Sequence, residues 1–240
     1  KHLGPALGFV TLVLDGETGD PLHLAPGKKK ESLQSFFDLL STEQKAGIDC
    51  VCIDRAGQYK SVVEANCPNA VIVFDKFHLK KNLNDVVDEV RRQEWRAASA
   101  EEKQSIKGQR YNLLRAPQNN TTEQRRSLKR LLGLNENLNA AYVLKEAFDQ
   151  VWTYTYRGCA ENYLARWRDW ALESGVKPLA RFARSVWQNR EHVLAYTDWK
   201  VTTGRLECLN GLIERIQRRS CGVADLKYLF LKIRQAANHS

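Results

Sequence analysis

The chain has 240 residues, with 37 Lys and Arg against 28 Asp and Glu, a formal net charge of +9 and an isoelectric point near 9.3. That length suffices for a sizeable core in one domain with an insertion or in two domains, and the basic balance favours a polyanionic partner, DNA first among them. No stretch approaches the ~20 apolar residues that cross a bilayer, and residues 1–20 lack a signal peptide's apolar run, so no membrane partner is expected and the chain reads as cytoplasmic.

In chain order, 9–14 alternates β-branched and apolar residues up to Asp15-Gly16-Glu17-Thr18-Gly19, and 21–25 resumes in extended fashion. This predicts a strand, a Gly-containing turn and a second strand. Leu33, Phe36, Phe37 and Leu40 then recur at helical spacing. Residues 50–53 read as a strand buried on both sides, 58–65 as a helix and 71–74 as another buried strand. Cys50 and Cys52 share one face of the third strand as small hydrophobes, and no pair of Cys-x-x-Cys motifs is present, which argues against structural zinc. The order β, β, α, β, α, β is close to a ribonuclease H-like mixed sheet, which opens with three antiparallel strands before its first helix. Two of the three are visible, and one is expected upstream of Lys1. The lack of any Met, an initiator included, likewise reads as a chain that begins inside a longer protein.

From Leu79 to about Trp199 the β signal disappears. Leu83, Val86, Val87 and Val90 make one helical face, Leu128, Leu131 and Leu132 a second, and Tyr163, Trp167 and Trp170 a third. The aromatic stripe is assigned to packing rather than base stacking. Asn120-Thr121-Thr122-Glu123 carries helix-start chemistry. The expected organisation is therefore a first part of the α/β core over 1–78, an all-helical insertion over 79–200 and a C-terminal helical part of the core over 201–240. Residues 91–130 hold eleven Lys or Arg against four Glu, a candidate DNA track, although a solvated helix surface would look the same.

Four residues stand where chemistry is expected. Asp54 and Asp75 follow buried strands, at the carboxyl ends where ligands gather in open α/β sheets. Asp54 could equally cap the next turn. His78 follows Asp75 by three residues, so the pair could share a ligand or hydrogen-bond, or be an N-cap beside a buried His. Near the C-terminus Leu206, Leu209, Ile213 and Ile216 form a helical face with Thr203 as N-cap. That puts Glu207 in the first turns beside Asn210 and Glu214, where a lone Glu is ordinarily a dipole or capping residue.

Cys52-Ile53-Asp54, Cys67-Pro68-Asn69-Ala70 through Phe74-Asp75-Lys76-Phe77-His78-Leu79-Lys80-Lys81-Asn82-Leu83, Val90-Arg91-Arg92 and Gly204-Arg205-Leu206-Glu207-Cys208-Leu209-Asn210-Gly211 resemble the ISL-three family of bacterial DDE transposases. Tyr111-Asn112-Leu113-Leu114, Ala141 to Glu146, Arg218-Arg219 and Cys221-Gly222 extend the resemblance over essentially the whole chain. It implies a ribonuclease H-like catalytic core interrupted by a helical insertion, with Asp54 as the second Asp of the catalytic triad and Glu207 as its Glu. Asp75 and His78 would then be a supporting Asp-x-x-His motif. The first Asp would lie in an Asp-Glu pair just upstream of Lys1, and Asp15, on the second strand by count, would not replace it. The family commonly carries Ser-Asn-Gly where this chain has Thr202-Thr203-Gly204.

The implied activity is cleavage and strand transfer on double-stranded DNA of element ends and target, using Mg²⁺ or Mn²⁺ bound by Asp54 and Glu207. A homodimer or larger assembly at the bacterial nucleoid is expected. Candidate DNA contacts are Arg91, Arg92, Arg110, Arg125, Arg126, Arg218 and Arg219. Two rival readings are an inactive, transposase-derived DNA-binding protein and a ribonuclease H-like nuclease that hydrolyses without joining.

Overall fold

The computed structural model describes residues 2–3, 8–53, 57–219 and 225–237. They fall into two compact units, Lys1–Asp75 with Trp199–Ser240, and Lys76–Asp198.

The first unit begins with an antiparallel pair, β1 (Val10–Leu14) and β2 (Pro21–Pro26), in register Val10 to Pro26 and Leu12 to Leu24. Asp15 closes the turn, its Oδ1 accepting from the backbone N–H groups of Glu17 at 2.8 Å and Thr18 at 2.7 Å, while Gly19 takes the left-handed φ of +85° that the turn needs. Helices α1 (Lys30–Phe37) and α2 (Thr42–Ala46) follow, the latter started by a Ser41–Gln44 capping box. Strand β3 (Cys50–Ile53) then pairs in parallel with β4 (Val71–Phe74), with α3 (Gly57–Asn66) as the crossover.

Period-two alternation decides what each face of β1 meets. Val10, Leu12 and Leu14 face a cluster built from Leu209, Ile213, Leu229 and Ile233. On the other face the Thr11 hydroxyl lies 2.8 Å from the Tyr59 hydroxyl of α3. Helices α1 and α3 are tied by Asn66 Nδ2 donating to Gln34 Oε1 at 2.9 Å. The hairpin therefore has helices on both faces. Among the described residues the strands form two separate two-stranded sheets, β1-β2 and β3-β4, where one mixed sheet missing its first strand was expected. Each pair completes its own ladder and leaves an outer edge to other neighbours.

The second unit is helical wherever it is ordered into elements: α4 (Lys76–Ala97), α5 (Ala100–Ile106), α6 (Arg110–Leu114), α7 (Thr122–Leu134), α8 (Glu136–Phe148), α9 (Arg157–Glu173), α10 (Lys177–Gln188), α11 (Arg190–Leu194) and α12 (Tyr196–Trp199). Its starts follow local chemistry, with capping boxes at Ser99–Glu102 and Thr121–Gln124. Leu79, Leu83, Val87 and Val90 bury the inner stripe of α4, and Leu128 and Leu131 that of α7. In the aromatic stripe of α9, Trp167 is buried and donates from Nε1 to the Leu144 carbonyl at 2.9 Å, but Trp170 is 47% exposed and is not core. Its position three residues beyond Trp167 carries it round to the solvent side.

Two ammonium groups fasten this unit. Lys145, 8% exposed, donates to the Leu113 carbonyl at 2.8 Å, satisfying the end of α6. Lys76, the first residue of α4, donates to the Tyr196 hydroxyl at 2.7 Å, so the unit's beginning and end meet.

The chain then returns to the first unit as α13 (Gly204–Arg219) and α14 (Leu226–Ala237). Leu209 and Ile213 of α13 and Leu229 and Ile233 of α14 are buried against β1 and β2. Full burial of each is worth about 1.5–3 kcal/mol.

Candidate active site

The carboxyl ends of β3 and β4 and the start of α13 converge. Asp75, immediately after β4, donates its backbone N–H to the carbonyl of Ile53, the last residue of β3, at 3.0 Å. Its side chain is 1% exposed. Oδ1 accepts from the Thr203 backbone N–H at 3.1 Å, and Oδ2 accepts from the Thr203 hydroxyl at 2.8 Å. Thr203 occupies the cap position expected for it, since its carbonyl accepts the first helical bond from Glu207 N–H at 2.9 Å. Its hydroxyl, however, goes to Asp75 and not to its own helix. The Thr202 hydroxyl accepts from Gly204 N–H at 3.3 Å instead.

This clamp carries α13 to the strand ends. Glu207 stands in the helix's first turn, exposed, and its carboxylate makes no hydrogen bond or ion pair among the described residues. The Arg205 guanidinium donates to the Glu17 carbonyl in the β1-β2 turn, fixing the same helix end against the hairpin. One turn beyond Glu207, on the same side, Asn210 holds a buried Oδ1 that has no hydrogen-bond partner among the described residues. Asp54 directly follows Ile53 but lies outside the described residues, as do Arg55 and Ala56. No group of three or more His, Cys, Asp or Glu side chains able to hold a metal ion occurs among the described residues, a set without Asp54.

His78 is half-buried in the first turn of α4. Asp15 is engaged by its turn: the Thr18 and Glu17 backbone N–H groups hold its carboxyl below the usual carboxylate range. Beneath the strand ends, burial, with the Asp75 carboxylate adding to it, pushes the Cys52 thiol up to about 12. Burial and Asp49 push Cys50 up to about 11. The Cys52 thiol also approaches the Val201 carbonyl at 4.0 Å, a second tie between β3 and the segment leading into α13.

The candidate DNA-contacting arginines separate into two groups. Arg91, Arg92 and Arg110 converge on Asp88, at 2.9, 3.4 and 3.3 Å. Arg91 is the most enclosed of the three, with 19% of its side chain exposed. Arg125 and Arg126 on α7 are exposed and form no ion pair among the described residues. At the end of α13, Arg218 reaches Glu214 at 4.0 Å with 83% of its side chain exposed, and Arg219 is exposed beside it. The Asp75–Thr203 clamp and the unmatched Asn210 had no signal of their own in the sequence, because the clamp's partners are 128 residues apart.

A family model described as transposase, of the DDE type and ISL3 class, matches residues 4–233. The chain belongs to this ISL-three (ISL3) family of DDE transposases. It is similar to the transposase for insertion sequence element IS1001 of Bordetella parapertussis, at 31% identity over 95% of this chain and 57% of that protein. It is also similar to the transposase for insertion sequence element IS1557 of Mycobacterium tuberculosis, at 27% identity over 89% of this chain and 53% of that protein. The chain thus spans about half the length of the curated relatives it matches. No solved structure matches it.

Proposed function

We propose that the chain is the catalytic region of an insertion-sequence transposase that cuts double-stranded DNA at element ends and joins it to a target. The observation that carries this reading is the Asp75–Thr203 clamp. It ties the start of α13, where Glu207 has no partner among the described residues, to the ends of β3 and β4, and Asp54 follows β3 in sequence.

The donor chemistry fits hard divalent cations. Glu207 offers exposed carboxylate oxygens, and the buried Asn210 Oδ1 on the same side of α13 lacks a donor among the described residues. Asp54 and Glu207 would hold Mg²⁺ or Mn²⁺, which when bound supplies Lewis acidity and activates water or a DNA 3′-hydroxyl for in-line attack on phosphate. Asp75 and Thr203 position α13, and His78 belongs to the supporting motif at the start of α4. Arg125, Arg126, Arg218 and Arg219, exposed cations, bind the phosphate backbone. Arg92 and Arg110 add to that field from the Asp88 cluster, while Arg91 is chiefly structural. No protein nucleophile is needed.

The fold completes itself as a ribonuclease H-like sheet if one more strand fills the space between the two strand pairs. His2 forms an antiparallel bridge with Phe9, at the start of β1 and on the edge that β2 does not use. Such a strand would join β1 to β3 and bring the first catalytic Asp beside Asp54. The longer relatives have room for it. The assembly acts as a homodimer or larger on two element ends, at the nucleoid.

Full-length protein, given supercoiled DNA carrying the element's ends and Mg²⁺, should cleave and join. Asp54→Ala or Glu207→Ala should abolish both steps while end binding persists. Undiminished joining by either variant refutes the site; cleavage without joining by the unaltered protein assigns it to the hydrolytic nucleases.

A further inference from the structure

The helical unit holds a cleft of about 430 Å³ between the segment preceding α7, α7 itself and α8. Its walls include Asn120, Arg125, Leu128, Lys129, Leu132 and Tyr142. Three features make it more than a surface groove.

First, a row of amides ends at its wall. Gln109 Nε2 donates to the Ser127 hydroxyl, Asn112 Nδ2 donates to Gln109 Oε1 at 2.9 Å, and Asn120 Nδ2 donates to the Asn112 carbonyl at 3.0 Å. These bonds fix the orientation of Asn120, which is 3% exposed, and leave its Oδ1 with no partner among the described residues. A buried acceptor without a donor is costly, so a donor supplied through the cleft would be favoured. Second, Arg125 and Lys129 stand one turn apart on α7, exposed and without ion pairs among the described residues. Third, the Tyr142 ring is held by the Lys145 ammonium, 4.9 Å from its centroid, and that ammonium is itself anchored on the end of α6. A fixed aromatic ring, apolar leucines, two cations and an unmatched carbonyl within one cleft match one ligand chemistry: a base with an N–H donor, attached to phosphate.

We propose that this cleft receives one unstacked nucleotide of a DNA strand, its base against Tyr142 and Leu132, its phosphate at Arg125 and Lys129, and an exocyclic amine donating to Asn120 Oδ1. A duplex hides its base faces and cannot enter in this way, so the site selects single-stranded positions such as an unpaired end. The inference rests on the DNA reading above.

The test uses the full-length protein and a duplex bearing the element end, with 2-aminopurine at the first position of a short unpaired tail. Controls are the same duplex without the tail and 2-aminopurine nucleoside monophosphate. The tailed duplex should bind about tenfold tighter than the blunt one, with a change in 2-aminopurine fluorescence. Tyr142→Ala and the surface variant Lys129→Ala should each remove that advantage and leave blunt-duplex binding within a few-fold. Equal affinity for tailed and blunt duplex, or an advantage that survives in both variants, overturns the cleft while the DNA reading stands. A monophosphate that binds as tightly as the tail overturns the strand as its source. Failure to bind either duplex overturns the DNA reading and the cleft with it.

Discussion

Replacing Asp75 with alanine leaves both donors of Thr203 buried and unmatched, because Thr203 is 6% exposed and Asp75 1%. Hydrogen bonds to a charged acceptor contribute about 1.5–3 kcal/mol each, so two together put the loss at about 3–6 kcal/mol. Thr203→Val removes only the hydroxyl and keeps the shape, costing about 1.5–3 kcal/mol. The hydroxyl bond is counted in both single variants. The double variant should therefore fall short of the sum by about 1.5 kcal/mol or more, which native-state hydrogen exchange of the first amides of α13 would read as a coupling of about tenfold. Thr203→Ser should keep most of the protection. Additivity within about 0.5 kcal/mol would mean that the carboxylate and the hydroxyl do not act on one another, and the clamp would lose its role in holding Glu207.

Two other expectations can be checked on the same protein. Arg125→Ala/Arg126→Ala should flatten the dependence of log affinity for duplex on log salt by about 2, because each phosphate contact contributes about 0.9; Arg91→Ala should barely alter that slope and instead lower the stability of the helical unit, leaving Asp88 with fewer partners. At pH 8.5, iodoacetamide should label exposed Cys159 and Cys208 quickly and Cys52 about a thousandfold more slowly, since its thiol holds its proton up to about 12. Rapid labelling of Cys52 in the folded protein would refute its burial. The sign carries over to stability: the folded thiols keep protons that the unfolded ones release, so Cys50 and Cys52 cost the folded state stability as pH climbs from about 9, the ordinary thiol value, towards 11 and 12.

Much of the local architecture was legible because short-range patterns decide it. Alternation through 10–14, the apolar runs at 50–53 and 71–74 and the stripes of α4 and α7 each announce an element, although Cys50 to Cys52 are only half-buried and Val71 is exposed where both strands were expected to be buried throughout. The start of α7 was legible in Thr121 for the same reason. Contacts between distant segments were not. Nothing near Asp75 indicates that its carboxylate meets Thr203, and a count of Lys and Arg over 91–130 cannot tell Arg91, folded onto Asp88, from Arg125, which is open to solvent. Period alone also misjudged Trp170, because a helical stripe has an outer margin that solvent reaches. Asp54, the second Asp of the triad by family resemblance, lies outside the described residues.

The bond from Lys76 to Tyr196 has a kinetic meaning. The residues of the clamp flank the helical unit, and closing a floppy tether of 128 residues would cost about 4 kcal/mol of chain entropy. A helical unit that has already joined its own first and last turns removes most of that search before Asp75 ever meets Thr203. Its core thereby governs how fast Asp75 finds Thr203. Slow maturation of activity, with a normal final yield, is the signature expected from core substitutions in α4 or α9.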